Sequence, residues 1–196
     1  MAFIAPIVEG HGETEALPAL LHRMAQLARP GVDLRVNPPI RIKLGSFMND
    51  NAYLNQYVSL AAAKAAQYGG WVLILLDCDD ACPAELGPAI LARARAARAD
   101  VPHLVVLAHR EFETWFIAAA ASLRGRFGLP DDLLRPEGFE TIRGAKGWLD
   151  RHTPDGYDPV THQAKFARAF DLVQAQDPRS FRRFLDRLSG LLEPQP

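Results

Sequence analysis

Two acidic clusters, each placed where an apolar run ends, are the residues of this chain best suited to chemistry. The first, in IVEGHGETEAL, sets Glu9, Glu13 and Glu15 around Gly10 and Gly12; the second, in WVLILLDCDDACP, holds Asp77, Asp79 and Asp80. A glycine-rich turn from strand to helix commonly cradles phosphate with backbone amides and a lysine. Here the P-loop pattern is excluded, because no lysine precedes Lys43. The dinucleotide fingerprint is weak, because Glu15 stands where the third glycine belongs. Carboxylates beside small residues that leave a ligand room suit a hard divalent cation, Mg²⁺ or Mn²⁺, through which the turn would meet phosphate. Without a cation, clustered carboxylates repel one another and raise one another's pKa. Glu9, Asp77 and Asp79 are therefore the candidate catalytic and metal-ligating residues. The same repulsion predicts that losing Asp77 or Asp79 leaves the fold intact or slightly stabilised.

These acids need a scaffold that brings strand ends together. Short β-branched runs alternate with helical patterns in the first part of the chain, which predicts βα units and a mainly parallel sheet of about four strands. The strands are expected at Phe3 to Val8, Ile40 to Leu44, Val72 to Asp77 and Leu104 to Ala108. Helices are expected at about Glu13 to Ala28, Asp50 to Tyr68 and Ala84 to Ala99. Parallel strand ends converge at a crevice, so Glu9 would meet Asp77 and Asp79 if their strands are neighbours. Along an extended chain Asp77 and Asp79 point the same way and Cys78 points to the opposite face, where it packs. Beyond His109 the pattern turns helical. The expected division is an α/β core over residues 1–122 and a helical part over 123–196 packed on it, ending in a stripe of Phe181, Phe184, Leu185, Leu188, Leu191 and Leu192.

Several residues admit a plainer reading. Glu9, Glu13 and Glu15 could simply complement a helix dipole, and one of Asp77, Asp79 and Asp80 could cap the next helix. Glu111 and Glu113 in HREFETWF either reach the rim, as extra ligands or a general base, or form a first-turn acid pair. Lys146 in IRGAKGWL could meet a phosphate, although an isolated lysine usually lies in solvent. Arg179, Arg182, Arg183 and Arg187 either grip a nucleic-acid backbone or form the solvated face of an amphipathic helix. His11 and His109 lie near the proposed rim and more often make hydrogen bonds than ligate metal.

A chain of 196 residues with 48% hydrophobic content can bury a full core, and its net charge of -1 exerts no global pull on a polyanion. Any nucleic-acid affinity must come from a local patch or a bound cation. Cys78 and Cys82 lack the second pair that a structural zinc site requires. No basic leader and no apolar run of roughly 20 residues is present, so a cytoplasmic protein without membrane contact is expected.

Glu9-Gly10 after one apolar strand and Asp77-x-Asp79 after a later one resemble the Toprim signature of topoisomerases, primases and OLD-family nucleases. More closely, VEGHGETEAL, LLDCDD, REFETWF, AKGWL and FRRFLDRL resemble the bacterial family called domain of unknown function 4276, over nearly the whole chain. The resemblance implies a Toprim-like, Rossmann-like fold. It also implies a Mg²⁺- or Mn²⁺-dependent nuclease or other phosphodiester-processing activity on DNA or RNA, and adds Glu13 to the metal ligands. By analogy with OLD-family systems it further implies a separately encoded ATPase partner and a mobile-element or phage-defence setting. Topoisomerase activity is not expected, since no separate tyrosine-bearing domain is present. The rival readings are a noncatalytic partner-binding module of an ATPase-linked system and, more distantly, a phosphoacceptor receiver. A receiver would carry paired acids on its first strand and a lysine after a fifth.

Overall fold

The computed structural model describes residues 1–193. Five parallel strands form one sheet. They are β1 (Ala2–Val8), β2 (Leu34–Val36), β3 (Ile40–Arg41), β4 (Trp71–Asp77) and β5 (His103–Ala108). The order is β2-β1-β4-β5, and β3 pairs with β1 on the same side as β2. This is an α/β fold of the Rossmann-like kind, as the alternating pattern predicts. Of the strand expected at Ile40 to Leu44 only Ile40–Arg41 forms, and Leu34–Val36 is a further strand outside the expected set, separated from it by Pro38-Pro39. Proline has no N–H to give a ladder, so the chain pairs before the prolines, through Asn37 N–H to Ile4 O (2.8 Å), and resumes after them, through Ile42 N–H to Val8 O (2.9 Å). Leu44 belongs to no strand; it opens the short helix α2 (Leu44–Asn49).

Alternation along the three long strands divides the core in two. Phe3, Ala5 and Ile7 with Val72, Ile74, Leu76 and Cys78 face one side, covered by α3 (Asn51–Ala66) and α4 (Pro83–Ala97). The opposite face, with Ile4, Val8, Leu73, Leu75, Leu104 and Val106, is covered by α1 (His11–Ala28) and by the chain beyond β5. That segment contributes α5 (Thr114–Ala118), α6 (Ala145–His152), α7 (Pro159–Ala167) and α8 (Arg179–Leu192). Its hub is the fully buried Trp115, whose ring meets Phe112, Phe181 and Phe184 and whose Nε1–H donates to Ser180 Oγ. The stripe from Phe181 to Leu192 therefore buries against the sheet. The last three residues of the 123–196 segment lie outside the described residues. Among the described residues no helix is long and apolar enough to cross a membrane.

Candidate functional site

Strands β1 and β4 are neighbours, with Ile7 level with Ile74, so their carboxyl ends open into one crevice. Asp77 is the last residue of β4 and is nearly buried. Its Oδ1 accepts from Phe112 N–H at 2.7 Å, and its Oδ2 lies 3.4 Å from Lys146 Nζ. Asp79 does not extend the strand. Its backbone is left-handed (φ 46°), as is that of Arg110 at the end of β5 (φ 62°), and Asp79 N–H donates to Arg110 O at 3.0 Å. The strand alternation that would align Asp77 with Asp79 thus ends at Asp77, and Asp79 stands in solvent. Left-handed backbone at non-glycine residues is costly and clusters where function or tight packing demands it.

Glu9 and Glu13 occupy the turn after β1 in different ways. Glu13, almost fully buried, folds back so that its Oε2 accepts from Glu9 N–H (3.2 Å) and Gly10 N–H (3.1 Å). The turn is thus closed by its own carboxylate, which reciprocates the first turn of α1. Burial raises the Glu13 pKa to about 7, against the lowering effect of those amides. Glu9 is half-buried; burial raises its pKa, and the neighbouring charge of Asp79 raises it further. Glu9 and Asp79 therefore sense each other across the crevice. The second glycine does not leave room for a ligand. A Cβ on Gly12 would come within 2.3 Å of Pro159 O and Gln163 Oε1, so this glycine admits α7 against α1.

Lys146 is not a solvated lysine. Its ammonium lies 3.4 Å from Asp77 Oδ2, 3.2 Å from Glu111 Oε2 and 3.3 Å from Glu113 Oε2. Burial on its own would lower its pKa, but the charges of Glu113, Asp77 and Glu111 prevail and push it up, so it remains an ammonium. Glu111 also accepts from the N–H groups of Ala145 (3.0 Å) and Lys146 (3.2 Å), which holds the start of α6 and aims the lysine inward. Glu113 is completely buried, and its Oε1 accepts from Tyr157 O–H (3.1 Å) and Gln163 Nε2 (2.9 Å). Its Oε2 has the Lys146 ion pair and no hydrogen bond. Burial raises the pKa values of both Asp77 and Glu113, Asp77 well above its usual range. Glu111 and Glu113 are thus neither a free rim pair nor a simple first-turn pair; they anchor the helical segment to the crevice. Tyr157 and Gln163 carried no signal in the sequence, since each becomes meaningful only when α7 reaches Glu113.

The remaining candidates lie outside this cluster. Asp80 pairs with Arg110 (2.8 Å) and Arg143 (3.1 Å). His11 and Glu15 are exposed. Cys78 packs in the core opposite the crevice. Arg187 Nη1 donates to Val105 O (2.9 Å), and together with Arg179 and Arg183 it lines a separate cleft beside β5, into which His109 also faces. Arg182 is exposed and is not part of that cleft.

The donor chemistry of the crevice fits a hard cation in kind: the acids outnumber the one internal lysine, and every side-chain donor at Glu9, Asp77 and Asp79 is an oxygen. Among the described residues no three histidine, cysteine, aspartate or glutamate side chains already stand as a metal-binding group. The fold and site define an α/β protein with a lysine-centred carboxylate cluster at the carboxyl edge of a parallel sheet. The chain belongs to the family described as Domain of unknown function (DUF4276), whose sequence model matches residues 8–189. No curated protein and no solved structure matches it.

Proposed function

We infer that the crevice is a Toprim-like site for hydrolysis of nucleic-acid phosphodiesters assisted by Mg²⁺ or Mn²⁺. The observation that carries this reading is the convergence of Glu9 and Asp79 beside Asp77 at adjacent strand ends, where burial and then the charge of Asp79 oppose ionisation of Glu9. Glu9, Asp77 and Asp79 would hold the cation, which supplies Lewis-acid stabilisation of a phosphoryl oxygen. Lys146, kept charged by its three acids, serves as a fixed positive charge toward phosphate and not as a proton donor. Glu13, with a pKa of about 7, is the acid poised to exchange a proton at neutral pH; it sits behind Glu9 and is held by Gly10 N–H. Glu13 therefore acts here by adjusting the charge of the turn, not as a further ligand. Arg110 and Arg143, paired with the exposed Asp80, lie beside the crevice where a phosphate backbone would pass.

The test uses purified protein with plasmid and single-stranded DNA and RNA in Mg²⁺, Mn²⁺ and EDTA, alongside calorimetric titration of Mn²⁺. Cation-dependent cleavage, with Mn²⁺ affinity lost in Glu9→Gln, is expected. Equal affinity in wild type and variant overturns the assignment.

A second reading is a noncatalytic partner-binding module of an ATPase-linked system. It draws on the degree to which Glu111 and Glu113 are already engaged in holding α6 and α7. The ATPase partner and a mobile-element or phage-defence setting rest on the motif resemblance alone.

A further inference from the structure

Strand β5 is an open edge of the sheet, and its outer side is unusually well framed. Val72 N–H donates to Pro102 O and Cys78 N–H to Ala108 O. In a parallel ladder this parity turns residues 102, 104, 106 and 108 toward β4 and points the N–H and C=O groups of Val105 and Leu107 outward. One outward group is occupied: Val105 O accepts from Arg187. Helix α4 lies on one face of the sheet and α8 on the other, so the β5 edge becomes the floor of a cleft of about 980 Å³. The α4 wall is apolar, with Pro83, Pro88 and Leu91, whereas the α8 wall presents Arg179, Arg183 and Arg187. The two sides of the cleft thus ask for different chemistry from one occupant.

We propose that this cleft is a docking site for an extended acidic peptide segment of a protein partner, which adds to the β5 edge as a further strand. An edge strand with outward amides and carbonyls is a template for another extended chain. Successive arginines four residues apart on α8 are separated by a rise of about 6 Å. Alternate side chains of an extended chain repeat at about 6.6 Å. A segment alternating acidic and apolar residues therefore sets its carboxylates against the arginines while its apolar side chains meet the α4 wall. Arg110, just beyond β5, also lines the cleft, its charge engaged by Asp80, and Glu140 is the one acid in the lining against the three arginines of α8. Docking replaces the Arg187 bond to Val105 O with a backbone N–H and frees that guanidinium for a carboxylate. Two copies of this chain pairing through β5 would bring two arginine rows together, which like-charge repulsion opposes. A single-stranded nucleic acid would find little to stack on, since Phe184 is buried and only the half-buried His109 ring faces the cleft.

The experiment measures binding of a labelled eight-residue peptide alternating glutamate and valine to the full chain by fluorescence anisotropy. Three further probes run beside it: the lysine-valine counterpart, the same acidic peptide with alternate backbone nitrogens methylated, and a single-stranded oligonucleotide. Saturable binding of the acidic peptide alone is expected, weakened about tenfold or more by methylation and by Arg179→Glu with Arg183→Glu. Both arginines are exposed, and a thermal melt confirms that the variant is folded. Methylation supplies the same answer without altering the protein. No binding of the acidic peptide, binding indifferent to methylation, arginine-dependent binding of the oligonucleotide instead, or a dimer in sedimentation that the arginine variant abolishes would each overturn the proposal.

Discussion

The crevice contains two sets of acids of opposite character. The inner set, Glu13, Asp77 and Glu113, is buried, and each carboxylate is tied to backbone or side-chain donors. The outer pair, Glu9 and Asp79, faces the opening, and neither side chain makes a hydrogen bond among the described residues. Lys146 belongs to the inner set. The difference separates two costs that a sequence shows as one run of acids. Inner acids have already exchanged water for fixed partners, so removing one leaves a buried donor or charge unmatched. Outer acids keep their water and are free to exchange it for a ligand, whereas Asp77 would join them on a cation only by loosening its Oδ2 from Lys146. Asp77 thus departs from the expectation that its loss would cost little: Asp77→Ala would strand the Phe112 N–H and one contact of Lys146.

Lys146→Met is the strongest way to break this contrast. It leaves Asp77, Glu111 and Glu113 without their cation, a change that costs about 3 kcal/mol at pH 8 after allowance for a lysine side chain that is 43% exposed. The loss should shrink at low pH as the raised carboxyls of Asp77 and Glu113 take up protons. Urea unfolding at pH 8 and at low pH checks this, and a pH-independent loss would mean that the lysine acts only through its packing.

Gly12→Ala comes next, at about 2 to 3 kcal/mol, because the added Cβ collides with Pro159 O and Gln163 Oε1. Thermal melts measure it. A neutral outcome would return that glycine to the ligand side of the comparison.

Glu13→Gln tests the inner set by its pH dependence. Glu13 titrates at about 7 in the folded protein against 4.5 as its ordinary value, so the fold holds a proton that the unfolded chain has released. Its contribution to stability is full below pH 4.5 and is lost as the pH rises through 7. The amide keeps an oxygen for the Glu9 and Gly10 N–H groups and removes that slope. A full shift of this size is worth about 3 kcal/mol, and because the attraction to Lys146 is already contained in it, the variant should gain up to about that much at pH 8. Denaturation curves from pH 4.5 to 8 should be flatter in the variant.

Asp79→Asn should move stability by less than about 0.5 kcal/mol, as expected of an exposed residue, while removing Mn²⁺ affinity in calorimetry. Loss of stability without loss of affinity would place Asp79 with the inner set.

The sequence by itself determined the three long strands of the sheet and the location of the crevice. Near-continuous apolar runs such as WVLILL suit strands covered on both faces, and helices between them make those strands parallel, so Glu9 and Asp77 arrive at one edge. The terminal stripe from Phe181 to Leu192 was equally dictated, since no other conformation puts those side chains on one face. Pro38-Pro39 marks the break between β2 and β3, but the three-residue β2 is too short for a clear pattern, and only its pairing with β1 places it in the sheet. Tertiary structure alone decided what the polar residues do. Whether a lysine is solvated, or a glutamate is a ligand or a clamp, depends on which distant segment arrives beside it. Lys146 stands 69 residues from Asp77 in the chain, and Gln163 stands 50 from Glu113. No local spacing encodes those meetings, because burial and hydrogen bonding are set by the packing of α6 and α7 against the sheet.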